Sequence, residues 1–181
     1  VIVIVLAIAA IVIPTILEGS RLPPHSRALS DMRSLATALE AYMVDTNTYP
    51  AMHPLRNYAG TKGSKSEKAL RKAGGWDLYA IETGNALFGG LTTPVSYITS
   101  LPVDPFIRVS RKERAGIPIA YFNSNNHGFV LYSPGYDGVY DIDPAEDYDP
   151  AVMNPLPSLL QKTWDPTNGT NSRGDVWRIK Q

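Results

Sequence analysis

The sequence predicts an α+β fold: a long N-terminal helix, first apolar and then amphipathic, packed on a small antiparallel sheet. Three observations carry this. Residues 1–13 contain no charge, no polar side chain and no glycine. Residues 26–45 repeat apolar side chains at three- and four-residue steps, the period of one helix face. Residues 117–133 and 176–179 hold three short runs rich in β-branched and aromatic residues, the composition of strands.

The first run reads VIVIVLAIAAIVI and is closed by Pro14. As a helix it rises about 20 Å, against a bilayer core of roughly 30 Å, so it falls short of a span as it stands. It is too apolar all round for the surface helix of a soluble domain. A secretory signal needs a basic leader, which the sequence does not show, and a core helix needs a domain large enough to cover every face. The expectation that fits best is the remaining end of a longer membrane helix whose first turns precede Val1. Its apolar side chains, Val1, Ile2, Val3, Ile4, Val5, Leu6, Ile8, Ile11, Val12 and Ile13, are then candidates for a helix–helix core. Pro14, Gly19, Pro23 and Pro24 follow. Gly costs about 1 kcal/mol and Pro about 3 kcal/mol in a helix interior, so a break is expected within residues 14–24. The chain thus divides into an arm, 1–24, and a globular domain, 25–181.

The second helix is expected over 25–48. Leu29, Met32, Leu35, Ala36, Leu39, Tyr42 and Met43 form its apolar stripe, which the downstream strands should cover. Tyr49-Pro50 is expected to end it, because Pro disfavours a helical residue before it. The region 51–90 is the least patterned. Ser64-Lys65-Ser66-Glu67 has capping-box spacing and Gly74-Gly75 a stop, which predicts a short basic helix at 65–73, with Trp76, Tyr79 and Phe88 pinning the excursion. Leu91 to Ile98 reads as a further helix start, with Thr93 as cap and Pro94 at the first helical position. Leu101 to Phe106 is expected as a rigid loop. Strands follow at 117–122 and 128–133, joined as a hairpin by Asn123-Ser124-Asn125-Asn126, with a third at 176–179.

The chain has no cysteine, so a disulfide, a thiol nucleophile and a thiolate metal site are all excluded. Net charge is zero but unevenly spread: 13 basic and 9 acidic residues up to Arg114, 4 basic and 8 acidic beyond it, or +4 against −4. Such a split suits complementary contact between neighbouring copies. The acidic half centres on Ser133 to Asp149, where Asp137, Asp141, Asp143, Glu146, Asp147 and Asp149 crowd with no base near in sequence. Close carboxylates repel one another and a hard cation relieves this; calcium takes six to eight oxygens in flexible geometry. The spacing is not that of an EF-hand loop.

Taken together, the apolar run ending in Pro14, the stretch Ser26 to Tyr42 and the segment Asp45-Thr46-Asn47-Thr48-Tyr49-Pro50 resemble the type IV pilin superfamily. The nearest likeness within it is to the major, G-type pseudopilin of type II secretion systems. Leu91 to Phe106, LTTPVSYITSLPVDPF, is also similar to that type. The resemblance implies about eight residues before Val1, a subunit that polymerises through its N-terminal helix, and partners in an inner-membrane assembly machinery and a prepilin peptidase. It also implies a calcium ion held by the glycine- and aspartate-rich loop, with Asp137, Asp141 and Asp143 in the matching stretch. Residues 144–162 depart from the family's shorter loop.

No enzyme is expected. His25, His53 and His127 lack the spacing of a metal pair, no serine sits in a nucleophile elbow, and there is no phosphate-binding glycine loop. A glycoside hydrolase built on Asp137 and Asp143 has the right chemistry, but the sequence shows no aromatic-lined cleft around them. The expected function is a structural subunit of a helical filament, held in the bacterial inner membrane before assembly and periplasmic or extracellular afterwards. Its partners are identical subunits; nucleic acid is not among them. The reading of a different class is a membrane-anchored monomeric binding domain whose site is the acidic, calcium-binding loop.

Overall fold

The structure is a computed structural model and describes residues 24–54, 79–81, 90–107, 117–165, 167 and 172–180. In chain order the elements are α1 (Pro24–Thr46), β1 (Met52–Pro54), β2 (Tyr79–Ile81), β3 (Ala120–Asn123), β4 (Phe129–Ser133), α2 (Pro144–Asp147), α3 (Pro157–Gln161) and β5 (Val176–Lys180). The α+β class expected from sequence is what forms.

Five residues of the stripe predicted for α1, Met32, Leu35, Ala36, Leu39 and Tyr42, are buried together with Ala28 and Ala38, while Leu29 and Met43 are only partly buried. They pack on one side of the sheet β3-β4-β5, which is antiparallel throughout. Alternation decides what meets the helix. Tyr121, Phe129 and Leu131 join the α1 cluster, whereas Ala120, Val130 and Tyr132 point the other way. Each fully buried Leu or Phe contributes about 1.5–3 kcal/mol relative to exposure.

The second face is buried as well. Ile117, Val130 and Tyr132 pack with Tyr140, Ile142, Tyr148 and Leu159. The acidic segment and the excursion after it are therefore a covering layer. The helices α2 and α3 have four and five residues and start on Pro144 and Pro157, where the missing N–H costs no helical bond.

Several expectations change. Pro24, assigned to the break, lies inside α1 at its first turn. Pro is tolerated there because the first N–H groups have no helical partner. Pro14, Gly19 and Pro23, the filament-core candidates Val1 to Ile13, and the basic helix at 65–73 lie outside the described residues. The helix ends at Thr46 rather than at Tyr49-Pro50, because Asn47 turns left-handed at φ 57° and its N–H bonds the Met43 carbonyl at 2.8 Å. Residues 91–98 form no helix. The Thr93–Pro94 bond is cis, Gly90 N–H donates to the Thr93 carbonyl, and Tyr97 and Ile98 N–H both donate to the Leu91 carbonyl. These bonds close a loop instead of starting a ladder. Region 51–90 holds a short antiparallel pair, β1 with β2, that the sequence did not announce.

Among the described residues no helix is long and apolar enough to cross a membrane.

Candidate functional site

The acidic segment leaves β4 at Ser133 and passes over the end of the sheet. Gly135 turns it at φ 63° and Gly138 at φ 70°, conformations that L side chains rarely adopt. Gly135 is further constrained: a Cβ there would stand 2.5 Å from the Gly174 carbonyl oxygen. This close approach brings residues 172–175 against the segment.

Its carboxylates are engaged locally. Asp137 accepts from Val139 N–H at 3.0 Å, and Asp149 from Ala151 N–H at 2.9 Å. Asp143 caps α2 by accepting from Ala145 N–H at 3.0 Å. Asp141 accepts from Gly174 N–H at 3.1 Å. Asp147 is buried, accepts from Asp143 N–H at 2.8 Å and pairs with Lys162 Nζ at 2.6 Å. The base missing from the neighbourhood in sequence thus arrives from α3's far end.

Two acids outside the predicted set are buried in this region. Asp175 has no exposed surface; its Oδ2 accepts from Asp141 N–H at 3.0 Å and Ile142 N–H at 2.9 Å. Its Oδ1 is buried without a hydrogen-bond partner. Burial pushes its carboxyl up to about 8, and Asp141 and Asp137 push the same way against the two N–H bonds. Asp137 is raised too, first by burial and then by Asp141. Asp104 is the second, fully buried beneath Ser133, whose hydroxyl donates to it at 2.9 Å. Sequence offered one hint for each. Asp175 follows a glycine at a strand start, and Asp104 precedes a proline, a usual turn setting.

The structure brings Asp137 and Asp141 near Asp175 and holds Asp143 apart as a cap. Among the described residues no three Asp, Glu or His side chains are placed to hold a metal ion. The buried carboxylate of Asp147 is paired with Lys162, and burial favours the neutral form of Asp175. Beside them a cleft of about 240 Å³ is lined by Asp141, Gln161, Lys162, Arg173 and Gly174. Its lining carries both signs of charge, and Lys162 is engaged by Asp147.

Trp164 packs between His25 and Tyr136, with ring centroids at 4.5 and 5.3 Å. Trp177 donates from its indole N–H to Thr163 Oγ1 at 2.7 Å.

No family model, no curated protein and no solved structure matches the chain.

Proposed function

We propose that the chain is the structural subunit of a helical pilus-like filament, either a type II secretion pseudopilus or a related type IV pilus-like fibre. The observation that supports this most is the state of α1. Its apolar stripe is already matched to the sheet, while thirteen uniformly apolar residues stand upstream of it in the sequence. Such a run needs cover, and a bilayer before assembly or copies of itself afterwards would supply it. At roughly 25 cal/mol per Å² of apolar surface, bundling these runs would drive polymerisation. Heterologous contacts that do not close into a ring would then give a rod. An inner-membrane assembly machinery and a prepilin peptidase belong to this proposal as partners. The site before assembly would be the inner membrane, and afterwards the periplasm or the exterior. Calcium at Asp137, Asp141 and Asp143 belongs to this proposal but is not required by it: each of these carboxylates accepts a backbone N–H and keeps lone pairs open to a cation.

Cryo-electron microscopy of the purified native protein, with calcium and then with a chelator, tests this. Rods with a core of residues 1–13 are expected under both conditions. Rods that vanish on chelation would keep the subunit role and return a metal to Asp137, Asp141 and Asp143. Absence of rods in both would replace the filament with a membrane-anchored monomeric binding domain.

A further inference from the structure

Asp104 is a buried carboxyl that the filament reading does not use. It is 1% exposed. Its own N–H donates to the Ile117 carbonyl at 2.8 Å, and Val103 bridges to Pro118, so the 101–107 segment lies along the chain entering β3. One oxygen, Oδ1, accepts from Phe106 N–H and from the Ser133 hydroxyl, both at 2.9 Å. The other, Oδ2, is buried with no hydrogen-bond partner.

Its donors, Phe106 N–H, Ile107 N–H and the Ser133 hydroxyl, are all neutral, and the charged groups around it do not offset a carboxylate. From α1 comes Asp31, itself raised by burial, whose negative charge acts on Asp104. The cation on that helix, Arg27, is engaged by Asp31 at 3.6 Å and is 58% exposed. From the acidic segment comes Tyr140, fully buried, its hydroxyl unpartnered and under the negative influence of Asp104 and Asp175. From β4 comes Ser133, a neutral donor. Ile117, Pro118 and Ile119 bring no charge. Among the described residues no Lys, Arg or His pairs with Asp104. An isolated buried charge is costly, and such a group neutralises instead.

We propose that Asp104 is a proton-operated latch: protonated, it fastens the 101–107 segment to β4 and to the face of α1, and deprotonated, it loosens that segment. The neutral acid carries no charge on its buried second oxygen, while Oδ1 keeps its donors. The ion leaves that oxygen unpaired and facing Asp31. Phe106 transmits the change, since its ring sits edge-on to Tyr136 at 5.0 Å and packs on the α1 core. Burial moves the Asp104 carboxyl from 3.8 up to about 6, against the pull of its hydrogen bonds, so the latch loosens as pH rises across that interval and is fully loosened above it.

The test uses the full chain in detergent micelles, with carboxyl-carbon NMR and amide hydrogen exchange corrected for intrinsic base catalysis. Asp104 should titrate with a midpoint near 6. Opening at Phe106 and Ile107 should increase about tenfold per pH unit between the ordinary carboxyl value, 3.8, and about 6, roughly a hundredfold in all, and level off above that. Asp104→Asn should hold exchange constant over the same range. Asp31→Asn should lower the midpoint, and Ser133→Ala should raise it, shifts that a merely structural role would not give. An Asp104 midpoint in the ordinary carboxyl range, or equal pH dependence in wild type and Asp104→Asn, overturns the proposal. If Asp104→Asn does not fold, the wild-type midpoint and exchange profile decide alone.

Discussion

Lys162 and Asp147 are the pair whose separate removal should do most harm in the covering layer. The Asp147 side chain is 3% exposed and Lys162 34%, at 2.6 Å. Lys162→Met would strand a buried carboxylate. Breaking fully buried pairs costs about 3–5 kcal/mol; with one partner a third exposed, about 2–3 kcal/mol is expected. Urea unfolding measures it, and Asp147→Asn added to Lys162→Met should recover much of the loss. Asp175 gives a pH dependence with a fixed sign. Its folded value, about 8, lies above the ordinary 3.8. The folded chain therefore holds a proton that the unfolded chain has already released. That stability is whole below pH 4, falls as pH rises toward 8 and is flat beyond. Asp104, raised to about 6, adds to the lower part of the slope only. Urea midpoints recorded in chelator should thus decline over this range, and Asp175→Asn should flatten the part above pH 6. A curve that climbs with pH would contradict the burial of both acids. Gly174 tests the close approach itself: at φ 108°, an added Cβ would meet the Thr163 carbonyl carbon at 2.7 Å and the Lys162 oxygen at 2.8 Å. Gly174→Ala should cost ~2 kcal/mol, read as a drop in thermal midpoint.

Helix α1 packs into the larger of the two core clusters, so cavities there should cost more than any change at its exposed end. Leu35→Ala and Leu39→Ala, at 1% and 0% exposure, should each lose 2–5 kcal/mol, whereas Val44→Ser at 83% exposure should stay within about 0.5 kcal/mol. Equal effects at Leu39 and Val44 in denaturant unfolding would mean that the stripe does not face the sheet. This helix and the β3-β4-β5 sheet were legible in the sequence because their periods run unbroken through Met32, Leu35 and Leu39 and through Phe129, Leu131 and Ser133. The layer on the second face was not. Helices of four and five residues complete too few turns to show a period, and both start on a proline that reads equally as a loop. The segment 91–98 was misjudged for a related reason: Thr93-Pro94 suits a helix start as well as the turn that forms. In the candidate site, the crowding of Asp137 and Asp141 could be read, but the partners could not. Asp175 joins Asp141 and Ile142 from more than thirty positions away, and Lys162 reaches Asp147 across fifteen. Sequence proximity showed neither the further acid, Asp175, nor the balancing base, Lys162, that the fold brings to these carboxylates.

For the chain as a whole, zero net charge divides into +4 up to Arg114 and −4 beyond it. If copies stack head to tail in a rod, the two halves of neighbouring subunits can face one another. Exposed charges of this kind fix register and speed encounter more than they add affinity. The apolar run would supply the affinity, and salt does not weaken apolar burial as it screens charge. The two contributions can therefore be separated by ionic strength. The Debye length shrinks from about 10 Å at 0.1 M salt to about 3 Å at 1 M. Raising salt across that range should slow rod elongation and blur helical order, while leaving the mass of polymer at steady state nearly unchanged. Light scattering gives the rate and the final mass; averaged electron micrographs give the order. Loss of polymer mass with salt would place the affinity in the charges and leave the apolar run without its proposed role. Elongation indifferent to salt would mean that the charge division lies on surfaces that never meet.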